Sequence, residues 1–173
     1  MKRVRAGYAT ALGLSAWVLV SSLGAQGATK VELKDAKGQS VGTATLTPGA
    51  NGVNIALDLK GLPPGEHALH VHATPKCEAP GFTSAGGHFN PANRKHGLKN
   101  PDGPHAGDMS NISVVDGTAK GTVTASGLSM GSDANSVFAN GGTALVIHAG
   151  ADDMMTDPSG NAGDRIACGV ITK

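Results

Sequence analysis

Val53-Asn54-Ile55-Ala56-Leu57-Asp58-Leu59 sets an apolar residue at every second position and stops at Gly61-Leu62-Pro63-Pro64-Gly65. Period two marks a strand with one buried face, and the Gly/Pro cluster ends it. Upstream, Val41-Gly42-Thr43-Ala44-Thr45-Leu46 ends at Pro48-Gly49, and Val31–Leu33 leads into a turn at Lys37-Gly38. Downstream, Ile112–Val115, an Asp116-Gly117 turn and Ala119–Thr124 together read as a hairpin. Thr143–His148 and Ile166–Ile171 supply the last two apolar runs.

Two stretches break this pattern, Ala73 to Asp108 and Ala149 to Arg165, and both are rich in Gly, Pro, Asn and Asp. Segments of that length without regular structure carry function or disorder. The first holds His88, His96 and His105 and closes on Asp108. Roughly eight strands with two long loops predict an all-β sandwich or barrel whose loops build a site.

The N-terminus has a different character. Lys2, Arg3 and Arg5 precede an uncharged stretch from Ala6 to Leu23, and small residues follow from Gly24 to Ala28. This is the layout of a secretory signal peptide over residues 1–27, cut after Ala25 or Gly27. A permanent membrane anchor is the alternative, and Gly, Ser and Thr within the run weigh against it. Residues 28–173 then form a single domain of about 146 residues, enough for one sizeable core. Tyr8 and Trp17, the only Tyr and Trp, leave with the leader, so the core is aliphatic apart from Phe82, Phe89 and Phe138. The remaining 11 basic and 13 acidic residues give a net charge of −2. A nucleic-acid binder would show a basic face instead, and no stable membrane association is expected. Cys77 and Cys168 are the only cysteines. In an exported chain an even count favours a disulfide, with two free thiols the alternative.

All seven histidines lie between positions 67 and 148. His70 and His72 are two apart on a strand-like run, so both imidazoles can face one ion. Gly86-Gly87-His88-Phe89-Asn90-Pro91, Lys95-His96-Gly97 and Gly103-Pro104-His105-Ala106-Gly107-Asp108 add three imidazoles and a carboxylate on one loop. That donor set suits tetrahedral zinc. His148 ends the apolar run Ala144-Leu145-Val146-Ile147. Nitrogen-rich ligation without thiolate suits copper(II) or zinc. A structural zinc needs only four of these groups, so the surplus of His70, His72 and His148 argues for a second metal.

These motifs, with Gly160-Asn161-Ala162-Gly163-Asp164-Arg165-Ile166-Ala167-Cys168-Gly169-Val170, resemble the copper/zinc superoxide dismutase family from Val31 to Ile171. The resemblance implies an eight-stranded flattened Greek-key β-barrel with an immunoglobulin-like sandwich form and two functional loops. It implies one copper per subunit, held by His70, His72, His88 and His148. One zinc would be held by His88, His96, His105 and Asp108, so that His88 bridges the ions. Cys77 and Cys168 would form the family disulfide. Arg165 would stand beside the copper and position superoxide, and Asp152 would accept from His70 and His96. His67 resembles a packing histidine and not a ligand.

The implied activity is dismutation of superoxide to oxygen and hydrogen peroxide, copper alternating between Cu(II) and Cu(I). A non-catalytic periplasmic copper/zinc-binding module of the same fold is the alternative. The periplasm is the expected location, otherwise the extracellular space, as a monomer or homodimer. The segment Ala149 to Gly163 is shorter than in many eukaryotic members and has no clear match for their steering charges. Lys76, Arg94, Lys95 and Lys99 are the substitutes on offer.

Overall fold

Strands form at the strand-like runs of the sequence, and a short further one begins at Gly65, where the Gly/Pro cluster ends. They are β1 (Thr29–Asp35), β2 (Ser40–Gly49), β3 (Gly52–Lys60), β4 (Gly65–His67), β5 (Leu69–His72), β6 (Ile112–Val114), β7 (Thr118–Ala125), β8 (Thr143–His148) and β9 (Arg165–Ile171). The structure, a computed structural model, describes Met1 and residues 27–173, so the expected leader lies outside the described residues. Among the described residues no helix is long and apolar enough to cross a membrane.

Seven strands make one antiparallel sheet in the order β5-β8-β9-β1-β2-β3-β7, and β4 pairs with β6. β4 and β5 are one run broken at Ala68, whose N–H donates to Gly150 O (2.8 Å) instead of to a ladder. Counted as one, they give the expected eight strands among the described residues. Because β4 continues into β5 and β6 turns into β7, the small sheet links the two edges of the large one. The result is a curled half-barrel.

The inner face is aliphatic, as an aromatic-poor sequence requires. On β3, Val53, Ile55, Leu57 and Leu59 are buried while Ala56, Asp58 and Lys60 face water. β5 and β8 are buried on both faces. Leu69, Val71, Leu145 and Ile147 enter the main core. Ala144 and Val146 point the other way and pack with Phe82, Ala85 and Cys168 under the first loop. His70 and His72 lie on that outer side by the same alternation. The site is therefore built on the outside of the barrel wall.

The loop 86–108 runs alongside β5 as an irregular neighbour. Val71 N–H donates to Gly107 O (3.0 Å) and Phe89 N–H donates to Val71 O (2.8 Å). Gly107 is required there, since a Cβ would overlap Val71 O.

Two features depart from the reading of the sequence. The Asp116-Gly117 turn forms with both residues at positive φ (49° and 74°), the geometry of a type I′ turn. Its strands nevertheless diverge after a single Val115–Thr118 bridge, β6 to pair with β4 and β7 with β3. The local turn forms, but the ladder across it stops because β6 takes β4 and β7 takes β3 as partner. The second departure is a third long connection between β7 and β8. Residues 126–142 fold on local bonds, among them Asn135 N–H to Asp133 Oδ1 (2.9 Å) and Ser136 Oγ–H to Gly131 O (2.7 Å). Leu128, Met130 and Val137 anchor it in the core.

Candidate metal centre

Among the described residues four buried side-chain nitrogens have no hydrogen-bond partner: His70 Nδ1, His72 Nε2, His88 Nε2 and His148 Nε2. β5 supplies the first two residues, the loop 86–108 the third and the end of β8 the fourth. These four side chains offer ligand atoms all within 4.8 Å of one another. The opposite ring nitrogen is engaged in each case. His72 Nδ1–H donates to Gly86 O (2.9 Å), His148 Nδ1–H to Gly163 O (3.1 Å) and His70 Nε2–H to Asp152 Oδ2 (2.7 Å). These bonds fix the tautomers and leave lone pairs facing inward, the arrangement of metal-ligating histidine. Leaving four such atoms unsatisfied would cost about 1–3 kcal/mol each. One cation accepting all four lone pairs removes that penalty, so the donor set fits copper.

The second nitrogen of His88 faces a different group. Asp108 Oδ1 lies 2.9 Å from His88 Nδ1, 3.1 Å from His96 Nδ1 and 3.3 Å from His105 Nδ1. His105 Nδ1 and His88 Nδ1 are 3.4 Å apart. A tetrahedral ion with bonds near 2.0–2.1 Å spaces its ligand atoms by about 3.3–3.4 Å, so these four residues fit zinc. His70 also lies within 4.8 Å of His88, His96 and Asp108. Its Nε2 is committed to Asp152, however, and the distances favour His105 as the fourth vertex. Asp108 Oδ2 accepts from Gly97 N (2.9 Å) and His105 N (3.0 Å), which holds the carboxylate in place. Asp152 stands between the two groups, with Oδ2 on His70 and Oδ1 on His96 Nε2 (3.0 Å).

Protonation follows the same geometry. Burial pushes His72 down to about 2, and burial with neighbouring histidines holds His88 and His148 near about 4. Burial also opposes a charge on His96, yet Asp108 and Asp152 together raise it to about 9. Burial would raise both carboxyls, but hydrogen bonds from His88 and His96 to Asp108, and from His70 and His96 to Asp152, keep them well below the usual range. The metal-free protein thus has a defined pH response. As pH falls from 6.5 towards 4, unfolded chains protonate His72, His88 and His148 while the fold keeps them neutral, so stability drops. His96 acts in the opposite sense, its contribution complete below 6.5 and lost as pH rises to about 9. We expect metal-free protein to melt highest near pH 6.5, with the steeper fall on the acid side. Calorimetry on chelator-treated protein checks this, and a Tm that does not fall on acidification contradicts it.

Arg165 completes the site. A cavity of about 310 Å³ is bounded by His72, His88, His148, Asn90, Ser159 and Arg165. The guanidinium donates from Nη1 to Phe82 O and from Nη2 to Gly86 O, both at 2.7 Å. Burial lowers its pKa, but an arginine stays charged in a protein. Gly86 O receives both Arg165 and His72, so the cation and one inward-facing imidazole share an anchor.

His67 is buried with its ring nitrogens on His148 O and Pro63 O, each at 2.8 Å, and joins neither group. Asp153 is exposed and shapes its own loop through Met155 N, Thr156 and Asn161. Among the candidate steering cations, Lys95 is paired with Asp157 at 3.1 Å. Sequence reasoning did not reach the carbonyls of Gly86 and Gly163, nor Asn111, because a backbone acceptor and a lone asparagine carry no spacing signal.

The fold and site define the class: an all-β metalloprotein with two ion sites sharing one histidine. A family model described as copper/zinc superoxide dismutase (SODC) matches residues 40–171. Copper-zinc superoxide dismutase 2 of Aquifex aeolicus is 52% identical over 146 residues, covering 81% of this chain and 84% of that protein. The copper-zinc superoxide dismutase of Escherichia coli K12 is 39% identical over 175 residues, covering 91% and 96%. The Cu/Zn superoxide dismutase of Brucella abortus superposes with a TM-score of 0.68 at 32% identity, covering 84% of this chain and 99% of that one. A SOD-like protein from Bacillus subtilis superposes with a TM-score of 0.79 at 37% identity, covering 82% and 96%.

The chain belongs to the copper/zinc superoxide dismutase family. It is an oxidoreductase that dismutates superoxide, with copper and zinc as its cofactors.

Proposed function

We propose that His70, His72, His88 and His148 hold the copper, that His88, His96, His105 and Asp108 hold the zinc, and that Arg165 receives superoxide. The observation carrying this reading is the set of four unpartnered buried nitrogens beside a fixed guanidinium. Bound copper supplies the one-electron chemistry that zinc lacks. Two superoxide anions and two protons become one dioxygen and one hydrogen peroxide. Arg165 is held by two carbonyls before substrate arrives, so it attracts and orients a small anion with little reorganisation. His88 can carry a proton at Nε2 while its Nδ1 remains with Asp108, His96 and His105. Asp152 keeps His70 and His96 in the tautomer that leaves their Nδ1 atoms free to ligate. The alternative, a binding module without turnover, would not need this cation beside the copper donors.

Metal analysis with a dismutase assay tests the assignment. One copper and one zinc per chain with rapid dismutation is expected, and fully loaded protein without activity overturns it. Arg165→Gln is expected to lower kcat/KM by about tenfold or more with both metals retained. Full activity in that variant removes Arg165 from the mechanism.

We further propose that residues 1–27 are an export signal and that the mature domain, 28–173, works in the periplasm. The disulfide between Cys77 and Cys168 suits an oxidising compartment. Because Tyr8 and Trp17 lie in the leader, metal-free mature protein should show almost no 280 nm absorbance. An ordinary tryptophan absorbance in protein recovered from the periplasm contradicts cleavage.

A further inference from the structure

Asp152 lies in a segment, 149–164, that contains no strand. Its peptide is nonetheless paired on both sides by one side chain. Asn111 Nδ2 donates to Asp152 O (3.0 Å), and Asp152 N–H donates to Asn111 Oδ1 (2.9 Å). The asparagine amide thus takes the place of a neighbouring strand. Asn111 stands immediately before β6 and three residues after Asp108. On the other side, Gly160 passes over the Asp152 carboxylate with φ +64°. A Cβ on Gly160 would overlap Asp152 Oδ1 and lie 2.7 Å from His96 Nε2. Met154 N–H, at 2.6 Å from Oδ1, fixes the remaining direction.

These contacts close a ring. Asp108 meets His96, His96 meets Asp152, Asp152 is clasped by Asn111, and Asn111 returns through two residues to Asp108. His70 hangs from the same carboxylate. We propose that Asn111 and Gly160 are positioning residues that aim the Asp152 carboxylate at His96 and His70, and so set zinc affinity and the orientation of a copper-side imidazole. The Asn111 amide bonds to the Asp152 backbone and not to a donor set, and Gly160 has no side chain. The proposal rests on the reading that His96 and Asp108 are zinc ligands.

The test compares Asn111→Ala, Gly160→Ala and Asp152→Asn with Val114→Ala, a buried β6 residue of the core cluster. Zinc affinity is read by chelator competition on copper-free protein, and Tm is read in parallel. Asn111→Ala and Gly160→Ala should weaken zinc by about 10–100-fold, the usual loss when a partner of a ligand is removed. Val114→Ala should lower Tm with zinc affinity kept. In zinc-loaded, copper-loaded Asn111→Ala, the Cu(II) electron paramagnetic resonance spectrum should shift as His70 is released. If Gly160→Ala does not fold, Asn111→Ala carries the test alone. Parental zinc affinity in Asn111→Ala, with Asp152→Asn impaired, overturns the positioning roles and leaves the zinc assignment standing. Parental affinity in Asp152→Asn as well overturns the proposal at the carboxylate itself, because zinc then does not depend on Asp152, while loss of zinc from Asp108→Ala alone keeps the reading beneath it. An equal zinc loss in Val114→Ala also overturns the proposal, by making the effect one of stability.

Discussion

His148→Ala is expected to abolish dismutase activity while zinc binding survives. His148 closes β8, where alternation places it on the same outer side as Ala144 and Val146, facing His70 and His72 across the β5–β8 ladder. Its Nε2 is one of the four unpartnered nitrogens, and none of the close contacts around Asp108 Oδ1 involves it. Alanine therefore removes one donor from the first group and none from the second. The three nitrogens left would be an incomplete set for the proposed copper, and activity should fall by at least about 100-fold, as when a catalytic stabilising group is lost. Zinc measured on the same sample should remain near one per chain. Parental activity would falsify the copper set, and loss of zinc with the copper would place His148 in the wrong group.

Removing the disulfide should have the largest effect on stability. Cys77–Cys168 spans a sequence separation of 91 residues, tying the first long loop to β9. Chain entropy assigns a closure of that length about 4.6 kcal/mol, and native disulfides typically contribute about 2–5 kcal/mol. Its position links stability to chemistry. Phe82 packs with Cys168 in the small outer cluster, and the carbonyls of Phe82 and Gly86 hold Arg165. We expect Cys77→Ser with Cys168→Ser to lower unfolding free energy by about 2–5 kcal/mol. We also expect a fall in kcat/KM with both metals still bound, because the guanidinium anchor loosens. Denaturant titration of the metal-loaded variant reads the first effect and initial rates the second. Unchanged stability would remove the structural role. A parental kcat/KM would show that Arg165 is held without the bridge.

Much of this was visible in residue order. The period-two run Val53–Leu59 became β3 with the expected faces, since alternation is a local property of the chain. His70-Val71-His72 could be placed on one face for the same reason. The Asp116-Gly117 turn was also legible, yet its strands separate, because each finds a better partner elsewhere in the wall. The segment 126–142 passed unnoticed: its Ser, Asp and Asn residues look like a turn, and the burial of Leu128 and Val137 depends on distant strands. Asn111 shows the limit most clearly. Nothing in its neighbours indicates that its amide will meet a peptide 41 residues away.

By itself, then, the sequence determined the all-β class and the two long loops, the first of them bearing three histidines, because both are written in spacing and residue type. Tertiary structure alone decided which nitrogen of each imidazole faces inward, since that choice is made by acceptors such as Gly86 O, Gly163 O and Asp152. It also decided that a carboxylate from one loop steadies histidines from β5 and from the other loop. Donors far apart in the chain converge only when the sheet curls and its outer face is covered, and until then no spacing rule can measure the distance between them.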